Sequence, residues 1–127
     1  MKYLLDTNAL INEMFNPIKL SEEAKNVIET ENELYVSVAA LWEIGIKQSI
    51  NKLDINATTE EIADECKRQD IKIIPILPSH IDKMKTLPHH HGDPFDRIII
   101  AQAIEGKMTL ITSDGKIEKY DLDILRY

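Results

Sequence analysis

Cysteine is nearly absent from the 127 residues. Cys66 stands alone, so the chain can form no internal disulfide and no zinc site of the cysteine type. Its surroundings, Ala63-Asp64-Glu65-Cys66-Lys67, look helical and acidic. Carboxylates so close raise a thiol's pKa rather than lower it, so an inert, structural thiol is expected. Basic charge is also short. With 15 Lys and Arg against 22 Asp and Glu, the formal net charge is −7, which argues against a protein that holds nucleic acid by a broad basic footprint. Long apolar runs are missing too. Ile98-Ile99-Ile100-Ala101 is far too short to span a bilayer, and Tyr3-Leu4-Leu5 meets Asp6 before a signal-peptide core can form. The expectation is no membrane association and a cytoplasmic location. Internal repeats, low-complexity segments and Gly/Ser/Pro linkers are likewise lacking.

What is present is the usage of an ordinary globular protein, 43% hydrophobic and 29% charged, at a length that suits one domain over residues 1–127 with a single core. The turn signals alternate strands with helices. Lys2 to Leu5 is a short apolar run ending at Asp6-Thr7-Asn8, as a buried first strand entering a helix does. That helix should run through Phe15 and stop at Pro17. Ser21 caps a second helix, with Ala24, Val27 and Ile28 as its apolar stripe and its end near Asn32. Leu34-Tyr35-Val36 reads as a strand, and Ser37 caps a helix reaching about Ile50. Thr58 with Glu61 forms a capping box for a helix to about Gln69.

Ile71 to Leu77 is β-branched, but Pro75 has no N–H to give a ladder, so an edge strand is expected there. A short helix over Ser79 to Leu87 follows. Asp93-Pro94 has the form of an N-cap with proline at the first helical position, and Gly106 stands where that helix should stop. Met108 to Ile111 is a strand ending at Thr112-Ser113-Asp114, and Ile124-Leu125 adds a last short one. The class is α/β: a three-layer sandwich whose central, mostly parallel sheet is flanked by helices.

In such sheets ligands sit beyond the carboxyl ends of the strands. Asp6 and Asp114 each follow a strand, so both should emerge at that edge. Asp96 lies in the first turn of its helix, near the same edge. Glu43 sits within an apolar helix, between Trp42 and Ile44, with the small Ala39 and Ala40 one turn earlier. Each acid also has a plainer reading. Asp6 serves as a cap, Glu43 pairs with Lys47 at i+4, Asp96 completes a cap with Asp93, and Asp114-Gly115 makes a turn. Together they read differently, because separate accidents would each have to place an acid at one edge of one sheet. Like charges crowded there resist ionisation unless a cation holds them. Oxygen-only ligands point to a hard ion, Mg²⁺ or Mn²⁺, and such a site suits phosphodiester hydrolysis by an activated water. The negative net charge is no objection, because a bound metal reverses the local sign.

Four stretches, Leu4 to Ile11, Ser37 to Lys47, His91-Gly92-Asp93-Pro94-Phe95-Asp96-Arg97 through Ala103, and Thr109 to Asp114, resemble the PIN-domain family. Within it the chain looks most like the VapC-type toxins of toxin–antitoxin pairs. The resemblance covers nearly the whole chain and implies a Mg²⁺-dependent endoribonuclease acting on RNA, a homodimer, and a cognate antitoxin whose tail enters the acidic groove. Carried over motif by motif, it makes Asp6, Glu43, Asp96 and Asp114 the catalytic, metal-holding quartet. Asp93 belongs to the subgroup's Asp-Pro-Phe-Asp-Arg pattern, but its N-cap position explains it adequately. Asn8, Thr112 and Ser113 are expected to orient the acids or a metal-bound water. One departure is visible: the subgroup often has Arg where this chain has Gly92. The phosphate contact is then missing or falls to Arg97.

His89-His90-His91 invites a zinc reading, but neighbours in a loop rarely all reach one ion, and a loop lining the groove is expected instead. Trp42 and Phe95 are expected in the core or a dimer contact rather than as base-stacking platforms. Two rivals remain: a non-catalytic PIN-like binding module, and a metal-dependent phosphatase. The phosphatase would want a second acid where Asn8 stands. A phosphoacceptor receiver domain would want an acid pair at the first strand, which ends here in a single Asp.

Overall fold

Leu4 and Leu5 are completely buried, as are Leu110 and Ile111, and these pairs are the centre of the sheet. The computed structural model describes all of residues 1–127. Strand β1 (Lys2–Leu5) leads into helix α1 (Thr7–Phe15), a 3₁₀ turn at Pro17–Lys19 and helix α2 (Glu22–Glu29). Strand β2 (Glu33–Ser37) is followed by α3 (Val38–Ser49) and α4 (Thr59–Arg68). Then come β3 (Ile71–Ile74), α5 (Pro78–Thr86), α6 (Pro94–Glu105), β4 (Thr109–Thr112), a second 3₁₀ turn and β5 (Ile124–Arg126). No helix is long and apolar enough to cross a membrane.

The sheet has the order β3-β2-β1-β4-β5 with every pairing parallel. The chain therefore moves outward from β1 through β2 to β3, then returns across β1 to β4. That reversal makes the β1/β4 boundary a topological switch point, where a crevice opens beyond the strand ends. Leu5 pairs with Ile111, so Asp6 and Thr112, one step on, lie side by side at the crevice end of the sheet.

Helix α6 supplies much of the core. Ile98 through Ala103 are all buried, a helix apolar nearly all round as befits one packed deep in the fold. Asp93 accepts from the N–H groups of Phe95 and Asp96, and Pro94 follows at N1, the arrangement the sequence indicates. The Thr58–Glu61 capping box is present. Cys66 is buried, and burial pushes its thiol up to about 11.

Some boundaries move. Helix α2 ends at Glu29, because the Thr30 hydroxyl takes the Asn26 carbonyl and the Asn32 amide takes that of Val27, capping the terminal turn. Strand β3 lies at the sheet edge and stops at Ile74, before Pro75. Gly106 ends α6 with an ordinary negative φ, while Lys107 takes the left-handed conformation (φ 53°). A Cβ at Gly106 would come 2.8 Å from Met108 Cε and 3.1 Å from the Gln102 carbonyl oxygen, so a larger residue would have to displace the Met108 side chain and crowd that carbonyl.

Candidate active site

Asp6 is placed by the end of β1 and the start of α1. Its backbone N–H extends the sheet to the Ile111 carbonyl, and its Oδ1 accepts the Ala9 N–H at 2.8 Å. The cap role and the strand-end role are thus the same geometry. The Tyr127 hydroxyl donates to the same oxygen at 3.3 Å. Burial drives the Asp6 carboxyl up to about 6, although hydrogen bonds from Thr112, Ala9 and Tyr127 pull the other way.

Glu43 reaches the crevice from α3. Ala39, Ala40 and Ile44 on the same helix are buried against the core, and Glu43 as a residue is only 6% exposed. The Thr7 hydroxyl donates to its Oε1 at 2.5 Å, and Lys47 Nζ lies 2.9 Å from its Oε2. The i+4 pair with Lys47 exists, but it is not a surface pair.

Asp96 enters from the first turn of α6. Burial and the neighbouring Asp93 charge drive its carboxyl up to about 7, with His91 opposing. Asp114 follows β4, where its N–H is taken by the Thr112 hydroxyl and its Oδ1 accepts the Lys116 N–H. Burial alone would raise Asp114, yet the Lys116 N–H and His91 hold it below the usual carboxylate range.

These groups share one cleft of about 210 Å³, lined by Asp6, Thr7, Asn8, Glu43, Lys47, His91, Asp93, Asp96, Ser113 and Asp114, with no hydrophobic residue among them. All four quartet candidates line it, together with Asn8, Asp93 and Ser113. Thr112 lies beneath, buried. Acids this crowded, two of them pushed toward protonation by burial, form a hard-oxygen donor set that fits a divalent cation.

Arg97 is not brought to this cleft. It is buried, and its guanidinium donates to the carbonyls of Met84, Leu87, Pro88 and His91. A phosphate contact would require breaking that set, so the sequence expectation for Arg97 finds no support in its position. Trp42 also departs from a core placement. It is 61% exposed, with its ring edge-on to Phe95 at 5.0 Å between centroids.

Sequence reasoning missed Lys47 and Tyr127 as residues of this neighbourhood, and it expected the histidine loop to line the groove without singling out His91, the member that does. Lys47 carried a signal, being one turn beyond Glu43 on the same helical face. His91 carried a weaker one, as the member of the histidine run nearest Asp93. His89 and His90 remain exposed.

A PIN-domain family model matches residues 3–122. No curated protein sequence matches the chain. Among solved structures, the fold is similar to that of VapBC2 from Rickettsia felis bound to a DNA fragment from its promoter, with a TM-score of 0.75 and 18% identity over 99% of this chain and 98% of that one. VapBC-1 from nontypeable Haemophilus influenzae gives 0.67 and 21% over 99% and 98%. DNA-bound VapBC from Salmonella typhimurium gives 0.66 and 16% over the same shares, 99% and 98%. At these identities the likeness is one of fold.

Proposed function

The chain belongs to the PIN-domain family, and we propose that it is a divalent-metal-dependent endoribonuclease, the toxin of a toxin–antitoxin pair. The observation that carries this reading is the convergence of Asp6, Glu43, Asp96 and Asp114 in one cleft without an apolar lining, at the switch point of a parallel sheet. Nuclease activity is typical of the family. In this reading the four acids hold Mg²⁺, with Mn²⁺ able to replace it, because the donor set is hard oxygen. An ion held by these acids would supply an activated water and offset charge on the scissile phosphate.

The chain's own side chains do the rest. Thr7 and Thr112 orient Glu43 and Asp6, and Asp93 holds the helix turn that carries Asp96. Asn8 and Ser113 line the cleft with polar groups able to hold water. Lys47 is the one Lys or Arg on the cleft wall, which makes it the fixed cation nearest an incoming phosphate.

Two features support protein partners. Solved structures similar to this fold include VapBC assemblies, consistent with a cognate antitoxin. Beside the acidic cleft, Val38, Trp42 and Ile46 line an apolar groove on α3, a surface suited to an antitoxin segment or to a second copy in a homodimer.

The test is incubation of the purified chain with total cellular RNA in Mg²⁺ or Mn²⁺, against the same mixture in EDTA. Discrete fragments that require the ion are expected. Intact RNA under both ions would favour a binding module instead.

A further inference from the structure

His91 is buried although it ends an exposed loop, and both of its ring nitrogens are engaged. Nε2 lies 2.6 Å from Asp114 Oδ2 and 3.1 Å from Asp96 Oδ2. Nδ1 accepts the Asp93 backbone N–H at 3.1 Å. The side chains of His91, Asp96 and Asp114 bring ligand atoms within 4.8 Å of one another, which taken alone reads as a three-ligand metal site. Nδ1 decides against that reading. A neutral imidazole has a single acceptor nitrogen, and here the Asp93 N–H occupies it. The nitrogen facing the acids therefore carries the hydrogen and has no lone pair for an ion.

We infer that His91 is a positioning residue, a hydrogen-bond donor that holds Asp114 and Asp96 side by side for the ion they share, and is not itself a ligand. The inference rests on reading the cleft as a metal site. Carboxylate ligands are commonly oriented by such outer donors, and losing one weakens metal binding without removing a ligand.

The donor is itself held from behind. The Tyr120 hydroxyl accepts the backbone N–H groups of His90 and His91 at 3.1 and 2.9 Å and donates to the Pro88 carbonyl at 2.8 Å. Arg97 donates to the carbonyls of Met84, Leu87 and Pro88 at 3.2, 3.3 and 3.0 Å. One aromatic hydroxyl and one guanidinium thus fix the loop that aims His91. Arg97 stays out of the cleft and acts on it through this loop.

The experiment has two arms. Nitrogen-15 NMR of the imidazoles, on the full chain without metal and then saturated with Mg²⁺, reads which nitrogen of His91 bears hydrogen. Nε2 is expected to bear it in both states. Calorimetric titration with Mn²⁺ compares the wild-type chain with His91→Ala and His91→Gln, the Gln amide being able to offer an N–H at similar reach. His91→Ala should bind Mn²⁺ roughly 10- to 100-fold more weakly, with most of that loss recovered by His91→Gln.

Hydrogen on Nδ1, or its loss from Nε2 on Mg²⁺ saturation, would overturn the donor assignment. So would a Gln variant as weak as the Ala variant, or an Ala variant that binds normally. The NMR arm needs no variant to fold. A wild-type chain that binds no Mn²⁺ removes the shared ion and the inference with it. Normal Mn²⁺ binding without RNA cleavage instead removes the nuclease reading and leaves this one in place.

Discussion

Lys47 Nζ lies 2.9 Å from Glu43 Oε2, in a cleft where it is the one Lys or Arg among five Asp and Glu side chains. On an open helix surface such an i,i+4 pair contributes only a few tenths of a kcal/mol. Here the Glu43 side chain is 8% exposed and that of Lys47 39%, so removing the ammonium leaves a buried carboxylate beside other acids. Lys47→Met should therefore destabilise the metal-free protein by roughly 1–3 kcal/mol, less than the cost of breaking a fully buried pair. Mn²⁺ should restore more stability to this variant than it adds to the wild type. Thermal unfolding with and without the ion checks both, and an unchanged metal-free Tm would return the pair to the status of a surface contact.

The acids themselves set a pH dependence. Burial lifts Asp6 to about 6 and Asp96 to about 7, above the value near 4 of an unfolded chain's carboxyls. The folded, metal-free protein then binds more protons than the unfolded chain in that interval. The stability these groups contribute is full below the unfolded value and is lost as the pH rises through 6 and then 7. Acidification from about pH 8 to about pH 5 should thus favour the metal-free fold more in the wild type than in Asp6→Asn, by on the order of 1 kcal/mol. Saturating Mg²⁺ should abolish or reverse the trend, since ion and protons compete for the same oxygens. Equal slopes for the two proteins would mean Asp6 titrates normally.

Asp93 separates capping from catalysis. Its Oδ1 accepts the Phe95 N–H at 2.8 Å and the Asp96 N–H at 3.3 Å. Asn is as good a cap, so Asp93→Asn should retain stability and most cleavage, whereas Asp93→Ala should lose about 1 kcal/mol. Near-total loss of cleavage in a fully stable Asp93→Asn variant would move its charge into the catalytic group.

Arg97 and Gly92 test where the phosphate contact resides. Arg97→Lys cannot reproduce a planar fork serving several carbonyls, so it should cost roughly 2–4 kcal/mol in denaturant unfolding. A variant with unchanged stability and a raised KM for RNA would instead restore the phosphate role to Arg97. Gly92 has a negative φ, and a Cβ there meets nothing within 4 Å. Gly92→Arg is thus accommodated without strain and should lower KM for RNA while leaving Tm unchanged.

Much of this arrangement was legible in the residues themselves. Parallel strands end at one edge, so the acids after β1 and β4 had to share it, and the caps at Ser37, Thr58 and Asp93 fixed where α3, α4 and α6 begin. What stayed hidden depended on distant contacts. Asp96 and Arg97 are consecutive, and only the packing of α6 decides that one faces the cleft and the other the loop at residues 84–91. Among three adjacent histidines, the one turned inward is chosen by Tyr120 and by the Asp93 N–H, neither of which shows as a local pattern. Trp42 sits among apolar neighbours in sequence, yet Ala39, Ala40 and Ile44 cover the sheet and leave it outside.

The most direct measurement is the chemistry of the RNA ends left by the purified chain, in Mg²⁺ or Mn²⁺ and in EDTA, with Asp6→Asn in parallel. Attack by a metal-activated water predicts internal cuts carrying 5′-phosphate and 3′-hydroxyl ends, lost on chelation and absent from the variant. Cleavage that persists in EDTA or in Asp6→Asn, or that leaves 2′,3′-cyclic phosphates, would contradict the account.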